Sequence, residues 1–398
     1  MTQPLDLREA QQLILAHVKE TAPESISLQD AFRRIPCRDI RAPRSVPAFP
    51  RSAMDGFAVI QNDIANASTK KPVSLPVVNE IPAGRTDIPR LHKGQAIKIM
   101  TGGAVPHGAD TIMPFELCRE EKKNVSITSP SKKWAHVRKT GCEIKKSQII
   151  VRKGNPIDIE HLPLLAESGV QNVPVYSRPV VALLATGSEL LESDASPQNG
   201  QIVSGNRFLL SSLLQQAGAD SMNFGIARDN VAQIAEALSS DKNIRMIIST
   251  GGMGPGKYDL MAEVYKKLDI HILYDSLNIR PGRSTMFGVK GNTLYFALPG
   301  PPPAVRLLFH QLVRPAILRA QGIPSPLKKG IKVILAESIS LKKTGIQNLK
   351  GGQCFFENGE LRFRPARKNE PINSIALIPS NRRSLLIGER ITVHRINS

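Results

Sequence analysis

Apolar residues Leu7, Ala10, Leu13, Ile14 and Val18 recur at helical spacing, and Asp6 followed by Glu9 forms a capping-box pattern, so the chain is predicted to open on an amphipathic helix. Ser27 to Asp30 repeats this start signal. From Arg41 to Pro50 the run RAPRSVPAFP holds three prolines, which impose extended or turn backbone and mark a boundary. Between Arg51 and Thr140 short apolar stretches (PVSLPVV, AIKIM, DTIMPF, VSITS) alternate with Gly, Pro and Asn, the pattern of a small β-rich module. After Gly141 come a strand-like run, a Gly-Asn-Pro turn and a helix ending near Gly169. The pattern then changes: VVALLATG, MIISTGG and TLYFALPG are apolar runs that end in glycine-bearing loops, separated by the helical patterns RFLLSSLLQQAG and NVAQIAEALSS and followed by a third, AVRLLFHQLVRPAIL. Strands apolar on both faces, alternating with helices, predict an α/β domain with a mostly parallel sheet over about Arg178 to Gly322. GIPSPLKKG reads as a linker, and beyond it CFFENGELRF carries Asn358-Gly359 between alternating residues, a hairpin signal in a small all-β tail.

A length of 398 residues rules out one ordinary core and predicts about two to four domains. No stretch of roughly 18 apolar residues occurs, and charged Asp6, Glu9 and Lys19 follow Met1 closely, so neither a membrane span nor a secretory signal is expected and the protein is read as cytoplasmic. Cys37, Cys118, Cys142 and Cys354 form no C-x-x-C pair, against a disulfide framework or structural zinc. The net charge of +19 is less ordinary. From Ser325 to Ser398 there are 14 Lys or Arg against 5 Asp or Glu, or 14 − 5 = +9. Such a balance steers anions or adheres to nucleic acid, but the chain has one Trp and only 5% aromatic residues, so stacking platforms for single strands are not indicated and no specific nucleic-acid partner is expected.

In an open α/β sheet ligands bind beyond the carboxyl ends of the strands, so the glycine-bearing loops are the first candidates. Ala185-Thr186-Gly187-Ser188-Glu189 places Glu189 just past a strand. TGGMGPGKYD carries Gly251, Gly252, Gly254 and Gly256, whose backbone N–H groups can cradle phosphate, and Asp259 ahead of the next helix. Gly251 to Lys257 fits the first seven positions of a Walker A motif, but Tyr258 stands where a small hydroxyl must reach Mg2+, which excludes a P-loop. ALPGPPPAV is a rigid turn, and in IRPGRS two guanidinium groups, Arg280 and Arg283, flank Pro-Gly and suit a phosphate or a tetrahedral oxyanion. Asp55 in RSAMDGFAV and Thr101 in IMTGGAVPHGADTIMP sit beside glycines in the β-rich module.

Taken in order, SAMDGFAV, IMTGGAVPHGADTIMPFE, ATGSEL, GQIVSGNR, ARDN, STGGMGPGKYD, IRPGRSTMFG and ALPGPP resemble the molybdopterin molybdenumtransferase family, the bacterial MoeA proteins and the gephyrin E domain, over essentially the whole chain. The resemblance implies an enzyme that inserts molybdate into the dithiolene of adenylylated molybdopterin with Mg2+ and releases AMP and finished molybdenum cofactor. It implies an elongated homodimer, fed by the upstream molybdopterin adenylyltransferase, in which the SAMDG-bearing domain of one subunit faces the α/β domain of the other. Four domains are expected: 1–47 with 141–177 as a helical, mixed first domain, an inserted β-rich domain at 48–140, an α/β domain at 178–324 and a β-barrel-like domain at 325–398. The residues carried over are Asp55, Thr101, Glu189, Asp229 and Asp259 for catalysis, with Glu189 and Asp259 on Mg2+. Gly251, Gly252, Gly254, Gly256, Arg280, Arg283, Pro299, Pro302 and Glu143 are expected to bind substrate or anion. The chain departs from the family where Arg280 and Arg283 stand for two lysines, Cys142-Glu143 for Glu-Asp, Ser204-Gly205 for Asp-Thr, Gly254 for Ser, and Pro301 and Ala304 for Asn and Ser. Two other readings are a weakened paralogue that binds molybdopterin or a partner without turnover and, from charge alone, a basic nucleic-acid-binding protein.

Overall fold

The computed structural model describes residues 3–239, 244–253, 260–342 and 344–396. These form two compact units, residues 25–175 and residues 1–24 with 176–398.

In unit 25–175 a six-stranded sheet is built from β1 (Gly56–Val59), β2 (Val73–Ile81), β3 (Ala96–Ile99), β4 (Thr111–Pro114), β5 (Cys118–Glu121) and β6 (Asn124–Ile127), in the order β4-β1-β3-β2-β6-β5. Alternation along β1 sends Phe57 and Val59 to one core and Ala58 to another, so both faces of the sheet are covered. A third core gathers Ile40, Val151, Leu165 and Val175 around the helix His161–Ser168, which ends at left-handed Gly169 (φ 92°). The start signal at Ser27 yields only a single 3-10 turn, Leu28–Asp30, because the Ser27 hydroxyl donates to the Asp30 carboxylate at 2.9 Å rather than capping backbone N–H groups.

The second unit contains the α/β sheet: β7 (Val180–Thr186), β8 (Asp220–Ala227), β9 (Met246–Thr250), β10 (His271–Tyr274), β11 (Met286–Lys290) and β12 (Thr293–Leu298), ordered β8-β7-β9-β12-β11-β10. The first four in that order are parallel and the last two join antiparallel. Val181 and Leu183 face one core, Ala182 and Leu184 the other, which is why the run is apolar throughout. The chain leaves β7 for β8 on one side and then returns to β9 on the other, so the loops after β7 and β9 diverge and open a crevice at the carboxyl ends of these strands.

The amino-terminal helix, Leu7–His17, forms with its capping box. Its stripe Leu7, Ala10 and Ile14 packs in the same core as Val181, Leu308 and Val313, so residues 1–24 belong with the α/β sheet and not, as sequence grouped them, with 141–177. An apolar stripe specifies burial but not which sheet buries it. Helices Pro302–Leu308 and Arg314–Ala320 join through a π turn at Phe309–Val313. Pro315 has no N–H for the Gln311 carbonyl, and Gln11 Nε2 donates to that oxygen at 2.8 Å instead.

Strands β13 (Ile331–Leu335), β14 (Gln347–Glu357), β15 (Glu360–Pro365), β16 (Ser374–Ile378) and β17 (Arg390–Arg395) close a five-stranded barrel in the order β14-β15-β13-β17-β16, with β16 pairing back to β14. Val333, Leu335, Phe363, Ile378 and Val393 fill it. Asn358 (φ 51°) and Gly359 (φ 77°) make the expected tight hairpin between β14 and β15. The barrel and the sheet share one unit, because Leu349 and Ile375 enter the core that also holds Phe296 and Leu308.

Candidate functional site

At the carboxyl end of β7 the chain turns at Gly187, where a Cβ would lie 2.7 Å from Glu189 Oε2, so glycine lets the Glu189 carboxylate fold back over the strand end. That carboxylate is exposed and makes no hydrogen bond or ion pair with a described residue. The neighbouring loop is tied on reciprocally: Ser188 N donates to Asp229 Oδ2 at 2.9 Å, and Asp229 N donates to Ser188 Oγ at 3.2 Å. Asn230 then caps the helix Val231–Leu238 through Ala232 N and Gln233 N, which fixes Asp229 at the rim of the crevice.

From β9 the chain enters Gly251 (φ 100°) and Gly252 (φ 62°). A Cβ on Gly251 would stand 2.1 Å from the Thr186 carbonyl oxygen, so only glycine brings this loop against the end of β7. Gly254, Gly256 and Asp259 lie outside the described residues. Opposite, β12 runs into Pro299 and Gly300, and Pro302 occupies the first turn of its helix, where its missing N–H is no loss. Gly251 N donates to Leu298 O at 3.1 Å, joining this turn to the glycine loop.

Sequence reading passed over Asn206 inside SGNR. Its Nδ2 donates to Gly300 O at 2.7 Å, while its Oδ1 is buried without a donor among the described residues. A buried acceptor lacking a donor is costly unless something supplies one, so this oxygen is an unfilled hydrogen-bonding position beside the crevice.

Arg280 and Arg283 flank a packed turn. Leu277 N donates to Arg283 O at 2.9 Å, and Gly282 lies so close to Leu308 that a Cβ would meet Leu308 Cδ2 at 2.5 Å. Both guanidinium groups are exposed and form no ion pair with a described carboxylate. Ile279–Arg280 adds to the barrel in parallel, with Arg280 opposite Asn348, and Lys350 is the next residue on the Asn348 face of β14. Lys350 lies 70 positions along the chain from Arg280, and only the strand pairing places it two residues beyond the position opposite Arg280.

In the other unit Asp55 and Thr101 come together. Asp55 Oδ1 accepts from Thr101 N at 2.6 Å and from Thr101 Oγ1 at 2.8 Å. These two bonds, the backbone one foremost, hold the Asp55 carboxyl below its ordinary range, so it is ionised at neutral pH. Glu143 lies between two guanidinium groups, accepting from Arg138 at 3.0 Å and Arg51 at 3.3 Å. It therefore fixes two cations instead of presenting a free carboxylate. Among the described residues no group of three or more His, Cys, Asp or Glu could enclose a metal, and no helix is long and apolar enough to cross a membrane.

Two family models match the chain: the MoeA N-terminal region (domains I and II) over residues 5–169, and a probable molybdopterin binding domain over residues 182–319. A molybdopterin molybdenumtransferase of Nostoc sp. is 34% identical over 75% of this chain and 70% of its own length. One from Bacillus subtilis is 33% identical over 79% of this chain and 74% of its own. Among solved structures, a molybdopterin biosynthesis MoeA protein of Pyrococcus horikoshii superposes with a TM-score of 0.84 at 26% identity, covering 99% of both chains.

Proposed function

The chain belongs to the molybdopterin molybdenumtransferase family of molybdenum cofactor biosynthesis, and we propose that it inserts molybdate into the dithiolene of adenylylated molybdopterin in the presence of Mg2+, releasing AMP and the finished cofactor. The observation that carries this reading is the crevice after β7 and β9, where glycine backbone meets the strand end beside the unengaged Glu189 carboxylate. The backbone N–H of Gly252, at the topological switch point, suits a phosphate of the substrate, that of Gly251 being taken by Leu298 O. The Asn206 Oδ1 acceptor awaits a donor from the ligand.

The donor set fits Mg2+, which takes one or two carboxylates and completes its shell with water and substrate phosphate, so an enclosing three-residue cluster is not required. Glu189 and Asp259 would hold the ion, whose charge would neutralise the pyrophosphate. Arg280, Arg283 and Lys350 bind the molybdate dianion, the two arginines through forked guanidinium donors. Pro299 and Pro302 keep the facing turn rigid. Asp55, ionised and anchored on Thr101, offers its second oxygen to the reacting groups. In this reading the protein works in the cytoplasm as a homodimer, with the Asp55–Thr101 loop of one subunit serving the crevice of the other, and an adenylyltransferase supplies the substrate.

The arginines test this assignment. Charge-assisted bonds contribute about 1.5–3 kcal/mol each, so Arg280→Ala and Arg283→Ala should each raise the molybdate concentration at half-saturation by about 10- to 100-fold. Because both side chains are exposed, melting should be unchanged. Replacing both by lysine should shift the preference between molybdate and tungstate. Half-saturation that stays the same for both oxyanions in the alanine variants would reduce the pair to a solvated turn.

A further inference from the structure

Apart from Lys350, the basic residues of the carboxy-terminal segment have no part in the proposed reaction, yet the fold concentrates some of them. A cavity of about 500 Å3 lies where the helix Arg314–Ala320 meets the start of β13 and the end of β17. Four cations line it, Arg314, Lys328, Lys329 and Arg395, together with apolar Leu318 and Ile331. None of Arg314, Lys329 and Arg395 forms an ion pair or side-chain hydrogen bond with a described residue. Lys328 is fixed in place, its Nζ donating to the Arg395 carbonyl and, at 2.9 Å, to that of Ile396.

The surroundings add positive charge. His310, in the π turn one helical step from Arg314, is 8% exposed, and both its ring nitrogens are buried without a partner among the described residues. Burial and then Arg314, Arg306 and Lys328 push its imidazole down to about 3, so it stays neutral. Burial, Arg314 and Arg395 lower Lys328 to about 8, while burial and Lys328 lower His394, whose Nδ1 meets Gln311 Oε1 at 3.1 Å. Arg314 is lowered by burial itself. Among the described residues, the charges that perturb His310 and His394 are cations. Half-burying like charges together is unfavourable unless an anion joins them, and the guanidinium of Arg314 presents forked donors with nothing among the described residues to accept them.

We propose that this cavity binds a phosphorylated small molecule, its phosphate held by Arg314, Lys329 and Arg395 and its organic part against Leu318 and Ile331. The volume suits a nucleotide-sized ligand, and the mixture of forked cations with an apolar wall distinguishes such a ligand from free phosphate. The site is separate from the crevice, since neither Arg280, Arg283 nor Glu189 lines it.

The experiment uses the full chain carrying Arg280→Ala and Arg283→Ala, so that the other anion-binding turn is silent, with pyrophosphate and ADP titrated calorimetrically in the absence of Mg2+. Both anions should bind this protein, ADP more tightly, and adding Lys329→Gln with Arg395→Gln should weaken both at least tenfold. The two added positions are exposed, so circular dichroism and melting should not change. Affinities that agree within twofold with and without the added pair, or no binding before it is added, overturn the proposal. A 12-base-pair DNA duplex that binds more tightly than ADP and depends on the same two residues also overturns it, in favour of nucleic acid.

Discussion

Asp55→Asn is expected to lower AMP release from adenylylated molybdopterin by about 10²- to 10⁴-fold, the range typical for removing a positioned acid or base, while leaving the melting temperature within about two degrees. Asparagine keeps a side-chain oxygen that can still accept from Thr101 N and Oγ1, so the loop holding Thr101 survives and only the charge and the second oxygen are lost. Asp55→Ala removes the acceptor as well and should disturb that loop, which separates the two contributions. The acid side of the pH profile gives an independent reading. Because the two Thr101 bonds depress the Asp55 carboxyl, the ionised form persists below the ordinary carboxylate range, and the rate should hold as pH falls towards 4. Thr101→Val deletes the hydroxyl bond but retains the backbone one, so its acid limb should move to higher pH. A limb that does not move would separate Asp55 ionisation from turnover.

Gly251→Ala should be the most damaging single methyl in the crevice. The residue sits at φ 100°, and its Cβ would lie 2.1 Å from a backbone oxygen, Thr186 O, which no rotamer can relieve. The loop must move away from β7 by an ångström or more, and displacements of that size cost about 10²-fold in rate. Its hydrogen bond to Leu298 O would be strained too, so melting of this unit should fall by several degrees, corresponding to about 2 kcal/mol or more. Gly291→Ala provides the control: φ is 58° but nothing lies within 4 Å, so it should cost about 1 kcal/mol and leave turnover intact. Equal activity losses in both variants would show that general destabilisation, not the contact of Gly251 with Thr186, is at work.

The parallel sheet was legible in the sequence because a strand covered on both faces must be apolar throughout, and VVALLAT, MIIST and TLYFAL are so. The loops after them were legible because left-handed backbone favours glycine, as at Gly251 and Gly252. The destination of the first helix was not, since Leu7, Ala10 and Ile14 could cover either unit. Lys350 was hidden for a related reason: its relation to Arg280 is a strand register across a barrel, and local spacing carries no trace of it. Asn206 stood inside a motif but lacked a charge to single it out, and its significance is the buried Oδ1 that remains after Nδ2 binds Gly300. Glu143 shows the opposite case, a residue type consistent with chemistry whose carboxylate is already taken by Arg51 and Arg138. One departure from the family pattern also has a local explanation: Ala304 is only 6% exposed, where a serine hydroxyl would need a partner. Pro301 stands at the N-cap position of the helix that begins at Pro302 without a side-chain cap, and nothing in the structure explains it in place of Asn.

The central claim is that this chain couples molybdate insertion to cleavage of adenylylated molybdopterin. Purified protein mixed with that substrate, Mg2+ and molybdate should release about one AMP per substrate consumed, with molybdate accelerating the release. Adenylylated molybdopterin that binds to the protein but remains intact at saturating molybdate would contradict the claim and identify a binding paralogue in its place.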